Sequence, residues 1–185
     1  MATRLIIGVL PAKARFSVYN VCLLDGIVEL KDTKHASWDY ANPFVIQVSA
    51  QEGDIDGYQH VNNSVYLRWM DECAVEHSKA LGVDTADAGE FGYGMAVTDS
   101  RITYHAAAYL GDDVLVGNWI TKSDGRVRAT REFQIVRLDD GVTLTRATLN
   151  YICIKIRTGR ACRMPPLFRE KYVVTTFDSS TGSAK

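Results

Sequence analysis

The chain has 185 residues, of which 46% are hydrophobic and 23% are charged, the balance of one globular domain with some length left over. The formal net charge of -1 argues against the large basic footprint that nucleic acids or anionic membranes require. No apolar run approaches the roughly 20 residues of a membrane span. Neither a nucleic acid nor a membrane is therefore expected as a partner.

The first part of the chain, residues 1–42, is predicted to be an extension of unknown role. Its first 24 residues contain no Asp or Glu but include Arg4, Lys13 and Arg15, which weakly resembles an organelle transit peptide. An extension from an early start codon is the favoured interpretation, so the protein is predicted to be cytoplasmic, with organelle import left open. Val18 to Leu30 suits a strand. A protein that begins near Tyr40 is expected to fold and retain its catalysis.

The main domain is predicted to span residues 43–174, and the small polar tail 175–185 is predicted to be disordered. Phe44 to Val48 indicates a strand, which is followed by a polar loop and a long helix. Asn62 or Asn63 suits the N-cap of this helix, and Gly82 suits the position just after its end. Spacings of three and four place one polar stripe along the helix, opposite a wide apolar face; the stripe is Arg68, Glu72, Glu76 and Lys79.

The second half of the chain alternates between apolar and polar residues with a period of two, the pattern of strands. The alternating runs are Ser100–Ala108, Val114–Ile120, Val127–Ile135 and Ala147–Cys153, and Asp- and Gly-containing turns separate them. A strand, one long helix and an antiparallel meander give an α+β domain. Because one helix cannot cover both faces of the sheet, we expect a second subunit to cover the other face, in a homodimer or homotetramer.

The densest polar cluster, Asp54 to Asn63, lies immediately before the apolar helix. A helix start offers unpaired backbone N–H groups and the positive end of the helix dipole, which can hold the oxyanion formed when a carbonyl is attacked. A carboxylate just upstream could act as a base toward water or as a direct nucleophile. This arrangement suits acyl transfer, although Asp and Asn also cap helices for purely structural reasons.

The segment Asp56-Gly57-Tyr58-Gln59-His60-Val61-Asn62-Asn63, followed by Tyr66 and Trp69, resembles the signature of acyl-CoA thioesterases of the 4-hydroxybenzoyl-CoA thioesterase superfamily. It is also similar to the D-x-N-x-H-V-N-N segment of plant acyl-acyl-carrier-protein thioesterases. The likeness runs from about Phe44 to Tyr172. It implies the hotdog fold, in which an antiparallel sheet wraps around one long helix, and it implies hydrolysis of an acyl-CoA or acyl-carrier-protein thioester.

By position, the resemblance makes Asp56 the catalytic carboxylate and His60 its partner. It implies that substrate-binding residues surround the helix start: Tyr58, Asn62, Asn63, Ser64 and Tyr66. The chain has Tyr58 where the plant enzymes have Asn, and Asn63 where the bacterial short-chain branch has its histidine. On the predicted meander, Arg126, Arg128 and Arg131 could contact CoA phosphates, or they could form a solvated strand end.

Other reactive residue types are less suited to catalysis. Asp54 is expected to be solvated in the loop, His77 and Cys73 belong to the apolar helix face, and His105 is expected to be exposed. The four cysteines form no C-x-x-C pair and the histidines have no metal-ligand spacing, so no metal or cofactor is expected. A hotdog hydratase or dehydratase and a non-catalytic acyl-thioester-binding module remain the alternatives to a thioesterase.

Overall fold

The computed structural model describes residues 5–8, 20–23, 26–29, 36–83 and 92–176. Two helices are present in this part of the chain, α1 (Asn63–Ala80) and α2 (Pro166–Lys171), and a short 3-10 turn (Glu52–Asp54) precedes α1. The strands, in chain order, are β1 (Leu5–Gly8), β2 (Asn20–Leu23), β3 (Gly26–Glu29), β4 (Phe44–Ser49), β5 (Tyr93–Tyr104), β6 (Asp113–Ser123), β7 (Arg128–Arg137), β8 (Thr143–Lys155) and β9 (Arg160–Ala161).

The strands form one antiparallel sheet in the order β3-β2-β1-β4-β6-β7-β8-β5, and β9 pairs with β8. Three of the four predicted runs form a meander, since β6, β7 and β8 pair in succession. The first run lies in β5, which pairs with β8 instead of β6. Helix α1 packs its apolar face onto β4, β6, β7 and β8 in one continuous core. The α+β architecture with one long helix against an antiparallel sheet is therefore confirmed.

Helix α1 begins and ends where the sequence places its caps. The Asn62 side chain accepts the N–H of Ser64, and Gly82 follows the last turn with a φ of 82°, a backbone conformation that glycine adopts without a steric penalty. The buried face includes Trp69 and Met70, each of which contributes roughly 1.5–3 kcal/mol by leaving water. The polar stripe is confirmed by the Arg68–Glu72 and Glu76–Lys79 ion pairs.

Strand β5 differs from its predicted bounds at both ends. It begins at Tyr93 and stops at Tyr104, whereas the alternation predicted a strand that reaches Ala108. The backbone of Ala108 has other partners: its N–H donates to the Tyr66 hydroxyl and its carbonyl accepts the N–H of Val61. These two bonds take Ala108 out of the sheet and tie it to the start of α1.

The outer face of the sheet carries its own cover, contrary to the expectation that this whole face awaits a partner. Trp38 packs edge-on against Trp119 at a centroid distance of 5.8 Å. Asp39 forms a two-pronged ion pair with Arg146, and its backbone N–H donates to the side chain of Gln134. The packed unit therefore includes residues 36–42, which the predicted boundary at residue 43 had excluded. Strands β1, β2 and β3 also extend the sheet beyond β4.

Two polar residues of β7 lie in positions that the sequence interpretation did not assign. Gln134 lies on the strand face opposite the alternating apolar residues, yet it is completely buried beneath residues 37–39 and bonds to the Ser37 carbonyl and Thr143. Arg131, grouped with a solvated strand end, is only 4% exposed, because it shares the inward face of β7 with Ala129 and Phe133. Both residues are buried by segments from elsewhere in the chain, and the alternation of a strand does not predict which segments pack against it.

Thr175, in the predicted disordered tail, is bonded to the sheet. Thr175 exchanges two hydrogen bonds with the backbone of Ile120 in β6, so this residue belongs to the folded unit. Residues 177–185 of the predicted disordered tail lie outside the described residues. In the described part of the chain, no helix is long and apolar enough to cross a membrane.

The Trp38 cover predicts a specific coupling with Gly117. A Cβ atom at position 117 would lie 2.5 Å from Cζ3 of Trp38, so Gly117→Ala is expected to destabilise the protein by about 1–3 kcal/mol. In a Trp38→Ala background the same change is expected to be neutral or slightly stabilising, because the obstacle is gone and alanine suits a strand better than glycine. Urea unfolding of the four proteins measures the coupling. Additive effects would contradict this packing.

Candidate active site

The polar loop before α1 is closed by its own backbone. Ile55 and Val61 form an isolated antiparallel bridge, and the N–H of Asp56 donates to the carbonyl of His60 at 2.9 Å. Gln59 adopts a left-handed conformation with a φ of 63°, which turns the chain back on itself. The loop therefore brings Asp56 and His60 together at the start of the helix.

Only one oxygen of the Asp56 carboxylate accepts a hydrogen bond from the described residues. Its Oδ1 atom accepts the backbone N–H of Tyr58 at 2.8 Å, an arrangement that fixes the side chain within the turn. No hydrogen bond to its other oxygen comes from the described residues, and the side chain is half-exposed. One carboxylate oxygen is thus oriented by the loop while the other remains available to water or substrate.

Asp54, the alternative carboxylate, has a structural role. It is only 5% exposed, which corrects the expectation that it is solvated. Its side chain pairs with Arg68 on α1 and accepts the N–H of Gln51, and its carbonyl accepts the N–H of Asn62 at 2.8 Å. Asp54 therefore anchors the loop to the helix, and its two carboxylate oxygens already have partners.

The His60 ring packs against the turn formed by residues 107–112. Its ring packs edge-on against Tyr109 at 5.5 Å, and the Tyr109 N–H donates to the carboxylate of Asp112. Arg137 pairs with Asp112 at 3.1 Å and donates to the Ala107 carbonyl at 2.6 Å. No hydrogen bond joins the His60 ring to Asp56 or to any other described side chain. The ring is positioned by packing.

The predicted substrate-binding residues at the helix start have different surroundings. Asn62 caps the helix, and its Oδ1 also accepts the Ser64 hydroxyl at 2.7 Å. Asn63 is exposed, and its carbonyl accepts the Tyr104 hydroxyl. Tyr66 is buried, and its hydroxyl accepts the N–H of Ala108 at 2.8 Å. Tyr58, by contrast, is 82% exposed and free to contact a ligand.

Arg128 lies away from the loop within one chain. It begins β7, whereas the loop contacts the 105–108 segment, which bonds to Leu144 opposite the far end of that strand. Eight residues of strand, roughly 26 Å, separate Arg128 from Val136. The structure therefore places Asp56, Tyr58 and His60 in one loop near the helix start. Arg128 lies at the other end of strand β7, far from this loop.

The thiols and the helix histidine are poorly placed for chemistry. Burial raises the pKa of the Cys73 thiol to about 12, and this residue is fully enclosed. Burial, together with the nearby Arg131 cation, lowers the pKa of His77 to about 3, so His77 is neutral at pH 7. The Sγ atoms of Cys153 and Cys162 lie 3.8 Å apart, and burial raises the pKa of Cys153 to about 12. A thiol with a raised pKa is a weak nucleophile.

An open groove of about 400 Å³ runs between α1 and β5 from the helix start. Its helix side presents Ser64, Leu67, Arg68 and Asp71, and its sheet side presents Val97 and Ser100. The sequence interpretation did not predict this groove, although Leu67 and Arg68, which line it, lie on the predicted helix. Clefts of roughly 300–1,000 Å³ are typical of small-molecule sites. Among the residues that the structure describes, no group of three or more His, Cys, Asp and Glu side chains could hold a metal ion.

Comparisons with known proteins agree on one family. Residues 51–172 match the profile of the thioesterase-like superfamily. The long-chain acyl-CoA thioesterase FadM of Escherichia coli is 26% identical over 129 residues, which are 68% of this chain and 93% of that protein.

Solved structures have the same fold. The 1,4-dihydroxy-2-naphthoyl-CoA thioesterase of Synechocystis aligns with a TM-score of 0.64 at 19% identity, over 71% of this chain and 96% of its own. The DHNA-CoA thioesterase of Staphylococcus aureus aligns with a TM-score of 0.65 at 24% identity, over 69% and 87%. The likeness to these structures shows the fold, and the superfamily match shows the family.

The contrast between the two aspartates predicts different effects on stability. Asp54→Asn removes a buried ion-pair partner of Arg68 and is expected to destabilise the protein by about 1–3 kcal/mol. Asp56→Asn keeps an oxygen that can accept the Tyr58 N–H and is expected to change stability by less than about 0.5 kcal/mol. Thermal or urea unfolding of both variants checks this. A larger loss from Asp56→Asn would show that Asp56, rather than Asp54, anchors the loop.

Proposed function

The chain belongs to the thioesterase-like superfamily and is a thioesterase of the hotdog fold, and from that premise we propose that it hydrolyses long acyl-CoA thioesters with Asp56 as the catalytic carboxylate. The observation that carries the proposal is the half-exposed Asp56 carboxylate, oriented through one oxygen and open at the other. Asp56 belongs to the loop that leads into an 18-residue helix. The long-chain thioesterase FadM supports an acyl-CoA substrate.

The proposed reaction uses the Asp56 carboxylate and the start of helix α1. As a base, Asp56 takes a proton from the water that attacks the thioester carbonyl; as a nucleophile, it attacks the carbonyl and water later releases the acid. In both routes the carbonyl oxygen becomes an oxyanion, which the dipole at the start of α1 stabilises together with the Asn63 N–H, the first-turn donor that has no acceptor among the described residues. The C–S bond then breaks, and the thiolate takes up a proton as free thiol.

The groove along α1 and β5 is the proposed place for the acyl chain. It starts beside Ser64 in the first turn of the helix, and Leu67 and Val97 give it apolar walls. Ser64 is the lining residue nearest the loop in sequence, and the thioester and the carrier are proposed to meet the loop at this end, where Tyr58 and Asn63 would contact them. CoA is the proposed carrier, and an acyl carrier protein is the alternative to test in the same assay. The protein is proposed to act in the cytoplasm.

A second subunit is proposed to complete the groove. Strand β5 lies at one end of the sheet; Val97 near its middle is 46% exposed, and Tyr104 at its last position is 41% exposed. Long exposed edge strands invite pairing with another chain, and closed two-fold pairing is the commonest arrangement of soluble homo-oligomers. In such a dimer, Arg128 of one chain would approach the β5 edge of the other and could contact CoA phosphates.

We expect the protein to be at least a homodimer at micromolar concentration. Analytical ultracentrifugation gives its mass, and assays over serial dilution test whether activity depends on the second chain. Specific activity should fall as the mass falls to that of one chain, because the groove loses its second wall. A monomer with full activity would show that the site is complete within a single chain.

Asp56→Asn is expected to lower turnover of a long-chain acyl-CoA by about 10²–10⁴-fold, because the amide can neither accept the proton nor attack the carbonyl. Release of CoA thiol, measured with a thiol reagent, provides the assay, and circular dichroism confirms that the variant is folded. Near-normal turnover would remove Asp56 from the mechanism.

Asp54→Asn is the matched control for this change. It should lower stability while leaving turnover per folded molecule within a few-fold of wild type, and loss from Asp54→Asn alone would relocate the site. His60→Ala should cost less than Asp56→Asn, because the ring makes no hydrogen bond to Asp56 or to any other side chain in the described part of the chain. Equal losses would make His60 a full catalytic partner.

A further inference from the structure

A second cavity continues the acyl groove toward the C-terminal end of α1. The groove and this cavity share Asp71, and both lie between the same face of α1 and strand β5. On the helix, the lining positions continue at spacings of three and four through Ala74 to Ser78. The two spaces therefore follow one path along the helix, with the candidate catalytic loop at one end and this cavity, of about 80 Å³, at the other.

The cavity contains a buried cation with neutral partners. Arg131 is only 4% exposed; its guanidinium contacts Nδ1 of His77 at 2.8 Å and donates to the Ser78 hydroxyl at 3.1 Å. It also lies over the rings of Tyr151 and Tyr172, at 5.9 and 5.5 Å. No carboxylate pairs with it among the described residues. Buried charges in proteins are ordinarily paired with an opposite charge.

A second polar group in the cavity also has no partner. The hydroxyl of Tyr151 is buried and makes no hydrogen bond with any described residue. A buried hydroxyl without a partner is costly, and such a group in a cavity indicates a ligand or ordered water. By contrast, the hydroxyl of Tyr172 bonds to Ser78 at 3.1 Å. Arg131 and Tyr151 therefore offer a positive charge and a hydroxyl donor to whatever occupies the cavity.

We propose that this cavity binds a carboxylate at the far end of the acyl chain, so that Arg131 and Tyr151 select acyl groups that carry a second, terminal carboxyl group. The inference rests on the proposed function, since it assumes that the acyl chain lies in the groove. A guanidinium and a hydroxyl together match a carboxylate, which accepts several hydrogen bonds at once. A terminal methyl group would leave Arg131 without an opposite charge and the Tyr151 hydroxyl without a hydrogen-bond partner.

The position of the cavity sets the length of the acyl chain. Ser64 and Ser78 are separated by 14 residues of helix, or roughly 21 Å at 1.5 Å per residue, which an extended chain of roughly sixteen carbons spans. Asp71 is exposed where the two spaces meet, so water weakens the repulsion between its carboxylate and that of the acyl chain. Shorter chains end in the apolar part of the groove and do not reach Arg131.

The test compares two substrates of equal length, hexadecanoyl-CoA and the mono-CoA ester of hexadecanedioic acid. The wild-type protein is expected to favour the ω-carboxylated ester in kcat/KM by on the order of 10²-fold. Tyr151→Phe should lower this ratio by about 10-fold, and it should not lower the unfolding midpoint, because it deletes a hydroxyl that has no partner. Tyr40→Phe, which removes a hydroxyl on the opposite face of the sheet, is the matched control and should keep the wild-type ratio.

Equal kcat/KM values for the two esters in wild type, or a ratio that Tyr151→Phe leaves unchanged, would overturn the proposal. If neither ester is hydrolysed, the proposed function fails; tighter calorimetric binding of the ω-carboxylated ester to wild type than to Tyr151→Phe would still support the subsite. Sodium acetate distinguishes a free anion from a tethered one. If acetate stabilises wild type but not Tyr151→Phe and the two esters are hydrolysed alike, the cavity takes a free carboxylate and the proposal is wrong.

Discussion

The packing of α1 against β4, β6, β7 and β8 is the contact on which every other feature depends. Met70 and Cys73 are completely buried in this interface, so the helix axis cannot shift without opening the core. Because the axis is fixed, the first turn of α1 always meets the Asp54–Val61 loop and the last turn always meets Arg131. The same burial gives the two ends of one helix different chemistry: backbone N–H groups at one end and a buried guanidinium at the other.

Polar side chains in the folded unit fall into two groups, according to whether their bonds are complete. Asp54 and Gln134 are buried, and each has several partners on neighbouring elements, so they hold segments together. Three other groups form fewer hydrogen bonds or ion pairs with the described residues than their chemistry allows: the Asp56 carboxylate, the Tyr151 hydroxyl and the Arg131 guanidinium. A folded protein tolerates incomplete bonding where a ligand or water completes it. These three groups lie at the two ends of the proposed acyl path, whereas other buried polar atoms without a partner, such as those of Asn118 and Thr145, do not line it.

The segment 36–42 changes how the outer face of the sheet is understood. This segment contacts β6 through the Trp38–Trp119 ring pair and the Trp119 indole N–H, which donates to the Ala41 carbonyl. Asp39 contacts β7 through its N–H, which donates to Gln134, and β8 through its ion pair with Arg146. This cover explains why β6 is buried on both faces, from Val114 through Ile120. Among the described residues, the β5 edge and the adjoining groove lie outside this cover. The proposed partner contact and the proposed acyl site therefore share one strand.

The sequence by itself determined the elements whose signals are local. The caps at Asn62 and Gly82, the ion-paired stripe on α1 and the meander β6–β7–β8 follow from spacing and turn chemistry, and the Asp56–Asn63 segment indicated the family through its own residues. Only the tertiary structure decided which polar residues are buried. Asp54, Arg131 and Gln134 look like solvated residues in the sequence, because a strand or loop pattern does not record what packs against it. The groove, the Arg131 cavity and the 36–42 cover all depend on contacts between residues distant in the chain, and no periodicity encodes such contacts.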